Sequence, residues 1–292
     1  MTAAGGAVAM AGIAALCGTG PLDILLTNDD GASAAGIRAL RTQLVASGHR
    51  VTLAAPDRNA SGSALSFNWG SVRVTQDPDD PSVFAIGASP ATAVVLAATA
   101  LYPAGRRPDL VISGINHGPN SGSLLMLSGT LGAALAGTLL LDPPVPGIAI
   151  SAGRLDAAVP VDSPANLAQL EAVALHVARL VEATRGWFCE GDDVVRARTV
   201  LNVNYPARPV SELRGTVVAA QGEATDLRVT FTAGADGEYR AQATTRSAAD
   251  HRGTDNDWLD RGYATVTPVS GAITDATAPR ADLKRRLRRL QH

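Results

Sequence analysis

Short apolar runs alternate with helical patterns along the first two thirds of the chain. Leu22–Thr27 is an apolar run that ends in Asn-Asp-Asp-Gly, which is typical of a buried parallel strand ending at a turn. Ala34–Val45 has its apolar residues at helical spacing, and Val51–Ala55 is the next apolar run. Because a helix that crosses between two such strands makes them parallel, the pattern predicts a β-α-β unit.

The same alternation continues to about residue 206. Strands are predicted at Val83–Ile86, Leu110–Ile112, Gly147–Ser151 and Thr199–Val203, and helices at Pro90–Leu101, Thr130–Leu141 and Leu167–Thr184. Strands that alternate with helices in this way predict an α/β fold with a doubly wound, mostly parallel sheet.

The pattern changes after about residue 207. Three segments alternate apolar and polar residues as antiparallel strands or hairpins do: Leu213–Ala219, Leu227–Thr232 and Tyr239–Thr245. Tyr263–Val266 predicts one more strand, and Arg280–His292 predicts a basic helix with a solvated face. The chain is therefore divided into a flexible extension (1–20), an α/β core (21–206) and a C-terminal β-rich arm or small subdomain (207–292).

Composition narrows the class of protein. Hydrophobic residues make up 46% of the 292 residues and charged residues 18%, which predicts a packed globular protein. The net charge of -2 gives no support to a nucleic-acid partner. Beyond residues 1–20 the chain has no run of about 18 apolar residues, so no membrane-spanning helix is expected.

Two features bear on the compartment. Residues 1–20 are apolar but have no Lys or Arg before them, so they favour a cytoplasmic protein with a flexible extension, while export through this segment stays open. The two cysteines, Cys17 and Cys189, are too few for a disulfide framework or a thiolate zinc site, and they are expected to be free thiols in a reducing compartment.

The first candidate for chemistry is the pair Asp29 and Asp30, directly after the first strand. Ligands bind at the carboxyl ends of parallel strands, and two crowded carboxylates repel each other unless a positive charge lies there. Hard oxygen ligands favour magnesium, manganese or calcium. The alternative interpretation is a plain turn in which an Asp caps the following helix.

Three further polar segments follow predicted strands or open a helix: Ala55–Ser63, Ser113–Gly122 and Ser128–Thr130. Asn116 can offer a neutral oxygen to a metal, and His117 can act in proton transfer or lie as an ordinary surface residue. Ser128–Thr130 opens a helix, and the backbone N–H groups at a helix start favour the binding of a phosphate. The alternative is that Ser128 only caps the helix. Acids for a cation beside donors for an anion indicate metal-assisted phosphoester hydrolysis.

These stretches, taken together, resemble the SurE family of survival-protein nucleotidases. The matching segments are ILLTNDDG (24–31), APDRNASGS (55–63), GASPATAV (87–94), PDLVISGINHGPNSG (108–122), SGTLGAA (128–134), NVNYP (202–206) and GTD…GYATVTP (253–268). They follow the order of the family across nearly the whole chain after residue 20, which makes the combination specific.

The resemblance implies a Rossmann-like core whose C-terminal arm is exchanged between the subunits of a homodimer or homotetramer. It implies hydrolysis of nucleoside 5'- and 3'-monophosphates with one divalent cation per subunit, magnesium or manganese. The implied metal ligands are Asp29, Asp30, Ser61 and Asn116. The implied phosphate-binding residues are Asn59, Ser113, Gly114, Ser128, Gly129 and Thr130. Asp29, Asp30 and Asn116 are the candidate catalytic residues.

Two segments depart from the family pattern. The family has an acidic residue and a Tyr before SGT, where this chain has Ser123–Leu127 with neither, and GTP is here Gly87–Pro90 with Ala-Ser in place of Thr. The altered segment borders the site, which keeps two alternatives open. One is a phosphatase for a non-nucleotide phosphomonoester, and the other is a silent protein that binds metal and ligand without turnover.

Overall fold

The computed structural model describes residues 15–156, 158–189, 198–224, 227–245 and 250–272. Its strands are β1 (Asp23–Thr27), β2 (Arg50–Pro56), β3 (Val74–Gln76), β4 (Val83–Ile86), β5 (Leu110–His117), β6 (Gly147–Ala152), β7 (Thr199–Tyr205), β8 (Thr216–Val218), β9 (Leu227–Ala233), β10 (Tyr239–Thr245) and β11 (Ala264–Ser270). Its helices are α1 (Ala35–Ala46), α2 (Pro90–Leu96), α3 (Gly129–Leu140), α4 (Pro164–Cys189) and α5 (Asp255–Asp260). Short turns of 3-10 helix lie at Gly122–Leu127 and Val210–Glu212, and Ala97–Leu101 forms a π-helical turn after α2.

Nine of the described strands form one sheet in the order β3-β4-β2-β1-β5-β6-β7-β11-β8. The six strands from β4 to β7 in this order are mutually parallel. Antiparallel pairs occur at β3 with β4 and at β11 with β7. The chain starts in the middle of the sheet and winds outward to both sides, which confirms the predicted doubly wound, mostly parallel α/β fold.

The alternation of side chains along β1 explains why both faces of the sheet are covered. Ile24 and Leu26 point to one face, where they pack in a fully buried cluster with residues of α1 and α4. Leu25 points to the other face and packs with Val94 of α2 and Ala133 of α3. A strand that is apolar on both sides is therefore buried on both sides, as expected for a central parallel strand.

Several predicted boundaries shift. The strand expected at Leu110–Ile112 extends to His117, so part of the expected polar loop is strand. β3 and α5 were not predicted, because three-residue and six-residue elements carry too little periodicity to be recognised.

The C-terminal part of the chain divides between the main sheet and a separate hairpin. β9 and β10 pair with each other, which agrees with the antiparallel pattern expected for Leu227–Thr232 and Tyr239–Thr245. β11 joins the main sheet antiparallel to β7, and β8 lies at the edge of the sheet, parallel to β11. The antiparallel pairing expected for Leu213–Ala219 is therefore wrong, because the chain reaches β11 by a crossover through α5 rather than by a tight turn. The predicted basic helix Arg280–His292 lies outside the described residues.

The expectation of two free thiols is wrong. Cys17 and Cys189 form a disulfide, with their Cα atoms 5.2 Å apart. The end of α4 lies beside residues 15–20, and Arg185 of α4 donates hydrogen bonds to the carbonyl oxygens of Ala15, Leu16 and Gly20. The cysteines are 172 residues apart in sequence, so no local pattern indicated their proximity.

The described part of the N-terminal extension contacts the core through one buried side chain. Leu16 is 1% exposed and belongs to the main core cluster. Residues 1–14 of the predicted extension lie outside the described residues. None of the described helices is both long enough and apolar enough to cross a membrane.

Candidate active site

The turn after β1 holds two acids at the carboxyl edge of the sheet. The Asn28 side chain fixes this turn, because its Nδ2 donates to the carbonyl oxygen of Gly31 at 3.0 Å and its Oδ1 accepts from the Gly31 N–H at 3.1 Å. Asp29 is 3% exposed and Asp30 is partly buried. Helix α1 begins after Ala34 without a side-chain cap, so neither acid caps it. The turn therefore directs both carboxyl groups into the protein.

Asp29 lies against the first turn of α3. Thr130 Oγ1 donates a hydrogen bond to Asp29 Oδ1 at 2.6 Å. Burial raises the pKa of Asp29, while the Thr130 hydroxyl and the backbone N–H groups of Thr130 and Gly129 lower it. A Cβ at position 129 would lie 2.8 Å from Asp29 Oδ2 and 2.5 Å from Ser63 Oγ, so only glycine allows this approach. The first turn of α3, which sequence reasoning assigned to phosphate binding, thus also donates hydrogen bonds to Asp29.

Asp30 is surrounded by too few hydrogen-bond donors for a buried carboxylate. Burial and the neighbouring Asp29 raise the pKa of Asp30 to about 7, and the backbone N–H of His117 lowers it. Within the described residues, Asp30 Oδ2 and the hydroxyls of Ser63 and Ser113 are buried without a hydrogen-bond partner. A buried polar group without a hydrogen-bond partner costs about 1–3 kcal/mol. These three oxygens are therefore suited to bind a further group, such as a cation.

The end of β5 brings a second set of polar groups to the same edge. Ser113 is fully buried and pairs in register with Thr27 of β1. Gly114 has φ +141°, and a Cβ there would collide with the carbonyl oxygen of Ile150. The pairing with β6 shifts between Ser113 and Asn116, and such a bulge redirects side chains next to functional sites. Asn116 Nδ2 donates to the carbonyl oxygen of Gly118 at 2.8 Å. Its Oδ1 is then available as an oxygen ligand for a cation.

The loop after β2 is joined to the acids through its backbone. The N–H of Ala60 donates to the carbonyl oxygen of Asp29 at 2.7 Å. Asn59 and Ser61 are exposed, and Asn59 Oδ1 accepts a hydrogen bond from the Ser61 N–H at 3.0 Å. The hydroxyl of Ser63 faces Gly129 instead. Reasoning from the residues alone did not separate Ser61 from Ser63, and the structure brings the Ser63 hydroxyl close to the acids.

A cleft of about 500 Å³ opens beside the acids. Its lining residues are Asp30, Ser33, Ala34, Ala35, Arg38, Asn59, His117, Arg154, Val161 and Asp162. His117 Nε2 lies 3.9 Å from Asp30 Oδ2. Burial and the charge of Arg154 lower the pKa of His117, which keeps its ring neutral near pH 7. Sequence reasoning missed Arg154, although it follows β6 at the same edge of the sheet and the strand-end rule could have found it.

Comparison with known proteins identifies the family. A family model described as "Survival protein SurE" matches residues 24–226. A curated relative named 5'-nucleotidase SurE, from Desulfitobacterium hafniense, is 34% identical over 260 residues, covering 87% of this chain and 93% of the relative. The chain belongs to the SurE family. A second relative with that name, from Desulfovibrio desulfuricans, is 34% identical over 261 residues, covering 87% of this chain and 95% of its own length.

A solved SurE structure gives the same result for the fold. The crystal structure of the SurE protein from Aquifex aeolicus superposes with a TM-score of 0.70 at 30% identity, covering 90% of this chain and 98% of that one. The resemblance noted from the sequence motifs is therefore confirmed. The Rossmann-like architecture is confirmed with it.

The segment Ser123–Leu127, which departs from the SurE pattern, is hydrogen-bonded to residues that precede the β9–β10 hairpin. The fully buried carboxylate of Asp255 accepts hydrogen bonds from the backbone N–H groups of Gly122, Gly222 and Asn256. Ser123 Oγ donates to the carbonyl oxygen of Glu223 at 2.6 Å. The structure therefore gives Asp255 a positioning role that sequence reasoning missed, although its motif GTD was part of the family resemblance.

We expect the Thr130 hydroxyl to support Asp29 as a metal ligand. Thr130→Val keeps the shape of the side chain but removes the 2.6 Å hydrogen bond to Asp29 Oδ1. Groups that orient a metal ligand are worth about 10–100-fold in metal affinity or activity, and a loss of that size is expected. Thr130→Ser keeps the hydroxyl and is expected to retain most of the affinity. Manganese titration by calorimetry measures both variants, and equal affinities would contradict the role.

Proposed function

We propose that this SurE-family protein is a divalent-metal-dependent 5'-nucleotidase that hydrolyses nucleoside 5'- and 3'-monophosphates to nucleoside and phosphate. The observation that carries the proposal is the pair of buried Asp29 and partly buried Asp30 at the carboxyl edge of the sheet, beside the first turn of α3. The relatives named 5'-nucleotidase SurE support the reaction and the substrate class.

The residues present fit a hard divalent cation. The proposed ligands are Asp29, Asp30, Ser61 and Asn116, all of which offer oxygen, and magnesium or manganese prefers oxygen ligands. The fit rests on the partnerless Asp30 Oδ2 and on the mutual repulsion of two buried carboxylates, which a cation would offset. The buried hydroxyl of Ser63 is an alternative metal ligand in place of the Ser61 hydroxyl.

The protein groups around this pair can perform the remaining steps of a phosphate ester hydrolysis. When bound, the cation supplies charge neutralisation for the phosphoryl oxygens and activation of a water. The proposed phosphate contacts come from Asn59, Ser113, Gly114, Ser128, Gly129 and Thr130, of which the last three open α3. The neutral ring of His117 would take up the proton that the attacking water gives up. The water oxygen bonds to phosphorus as the ester P–O bond breaks, and His117 then gives that proton to the leaving oxygen, which yields the nucleoside and phosphate.

Removing divalent metal is expected to stop the reaction. Purified protein with manganese or magnesium should release phosphate from a nucleoside monophosphate, and excess chelator should reduce the rate to background. Restoring manganese should restore the rate, which separates metal loss from unfolding. Full activity in the chelator would contradict the metal requirement, while metal and ligand binding without turnover would indicate the silent alternative.

The altered segment Ser123–Leu127 favours a second candidate function, a phosphatase for a non-nucleotide phosphomonoester. Met126 and Leu127 are each 54% exposed, immediately before Ser128 and the start of α3. Exposed apolar side chains beside a phosphate site suit a less polar leaving group than a nucleoside. Initial rates on nucleotide, sugar and aryl phosphates separate the two functions, and a strong preference for nucleotides would dismiss this one.

We infer that the protein assembles as a homodimer or homotetramer. The β9–β10 hairpin pairs outside the main sheet, and its Phe231 and Tyr239 are 66% and 69% exposed. Aromatic side chains exposed to this degree on a hairpin are suited to contact with another subunit. Light scattering after size exclusion measures the assembly, and a monomer at micromolar concentration would contradict the inference.

A further inference from the structure

The cleft beside Asp30 is larger than one phosphate group needs. Its volume of about 500 Å³ falls in the usual range for small-molecule sites, so it has room for much of a substrate. Asp30, Asn59 and His117 line one part of it. α1 and the loop between β6 and α4 line the rest, and each contributes an arginine: Arg38 and Arg154.

Neither of these two arginines has a carboxylate partner among the described residues, although both line the cleft. The ion pairs of the described residues engage arginines elsewhere, such as Arg41 with Asp80 and Arg50 with Asp23, and none includes Arg38 or Arg154. Arg154 is half-buried next to His117, whereas Arg38 is exposed at the mouth of the cleft. An arginine held in a cleft without a partner is suited to an oxyanion such as phosphate or carboxylate, which it can bind through two parallel N–H groups.

The charge of this part of the cleft is positive. Apart from Asp30, which the proposed function assigns to the cation, the ionised side chains that line the cleft are Arg38, Arg154 and Asp162. Two positive charges against one negative charge leave a surplus of one. The scissile phosphate already has the cation and the N–H donors of α3 as proposed partners, so this surplus is available to another group of the substrate.

We propose that Arg154, assisted by Arg38, binds a second anionic group of the substrate. The preferred substrate is then a nucleoside bisphosphate, in which one phosphate is hydrolysed and the other is held by Arg154. This inference rests on the proposed function and deepens it by naming the substrate class. Arg154 acts here as a specificity-determining residue, because it contacts the phosphate that stays on the product.

The test compares a nucleoside 5'-monophosphate with the 3',5'-bisphosphate of the same nucleoside, using the full chain with manganese. The wild-type protein is expected to show a kcat/KM at least about tenfold higher for the bisphosphate, since a hydrogen bond to a charged group is worth that much or more. Arg154→Gln should reduce this preference about 10- to 100-fold, mainly through KM, and Arg154→Lys should restore part of it. Arg179→Gln, an exposed arginine on α4 outside the cleft, is the matched control and should leave the preference unchanged.

A second measurement does not depend on turnover. Calorimetry without metal should show the bisphosphate binding about tenfold more weakly to Arg154→Gln than to the wild type. Equal binding to both proteins, or an equal loss of kcat/KM on both substrates, would overturn the inference. If the wild type releases no phosphate from either substrate, the proposed function fails, and the calorimetry still decides whether Arg154 binds the second anion.

Discussion

Asp30→Asn is expected to abolish phosphate release, with a fall in kcat of at least about a thousandfold, because a buried anionic ligand of the cation becomes neutral. Asn keeps the size of the side chain and can still accept the hydrogen bond from the His117 N–H. Two buried adjacent carboxylates repel each other, so removing one charge should not lower the melting temperature. The expected variant is folded and inactive.

Three measurements together test this expectation. Circular dichroism and thermal melting establish that the variant is folded, calorimetry gives its manganese affinity, and initial rates give its activity. Asp236→Asn is a matched control, because Asp236 is an exposed acid at φ +55° in the turn of the hairpin, a conformation that Asn also adopts. A folded Asp30→Asn variant with near wild-type activity would remove Asp30 from the site.

The parts of the fold that sequence predicted are those in which local pattern and burial agree. β4 and β10 have the predicted bounds, and β1 differs from its prediction only at its first residue, because each is a continuous apolar or alternating run. β5 was predicted too short because its last five residues include Gly, Asn and His, which have low strand propensity, and the end of the strand is held in the sheet by pairing with β6. The Cys17–Cys189 disulfide depends on where α4 ends in space, which no local pattern encodes.

The candidate site was predicted to a similar extent and for a similar reason. The rule that ligands bind at strand ends placed Asp29, Asp30 and Asn116 at one edge, and the structure brings their elements together. The rule does not say which side chains then touch. The contact of Thr130 with Asp29 and the burial of Ser63 depend on the close approach of α3 at Gly129, which is a property of packing.

The second large effect is expected from the disulfide. A bond that joins residues 172 positions apart restricts the unfolded chain strongly, and the chain-entropy relation gives about 5 kcal/mol for a loop of this length. Measured losses in other proteins are about 2–5 kcal/mol, so a Cys17→Ser, Cys189→Ser double variant should melt roughly 5–15 °C below the oxidised wild type. Thermal melting with and without reductant checks this. Reductant should lower the melting temperature of the wild type and leave that of the double variant unchanged, and the same wild-type melting temperature in both conditions would contradict it.

Activity at room temperature should survive the loss of this bond. Leu16 stays in the core, and the three hydrogen bonds from Arg185 hold residues 15–20 whether or not the bond is present. Neither cysteine lines the cleft beside Asp30. The bond therefore adds stability without touching the site, and the reductant experiment measures how far the protein depends on it.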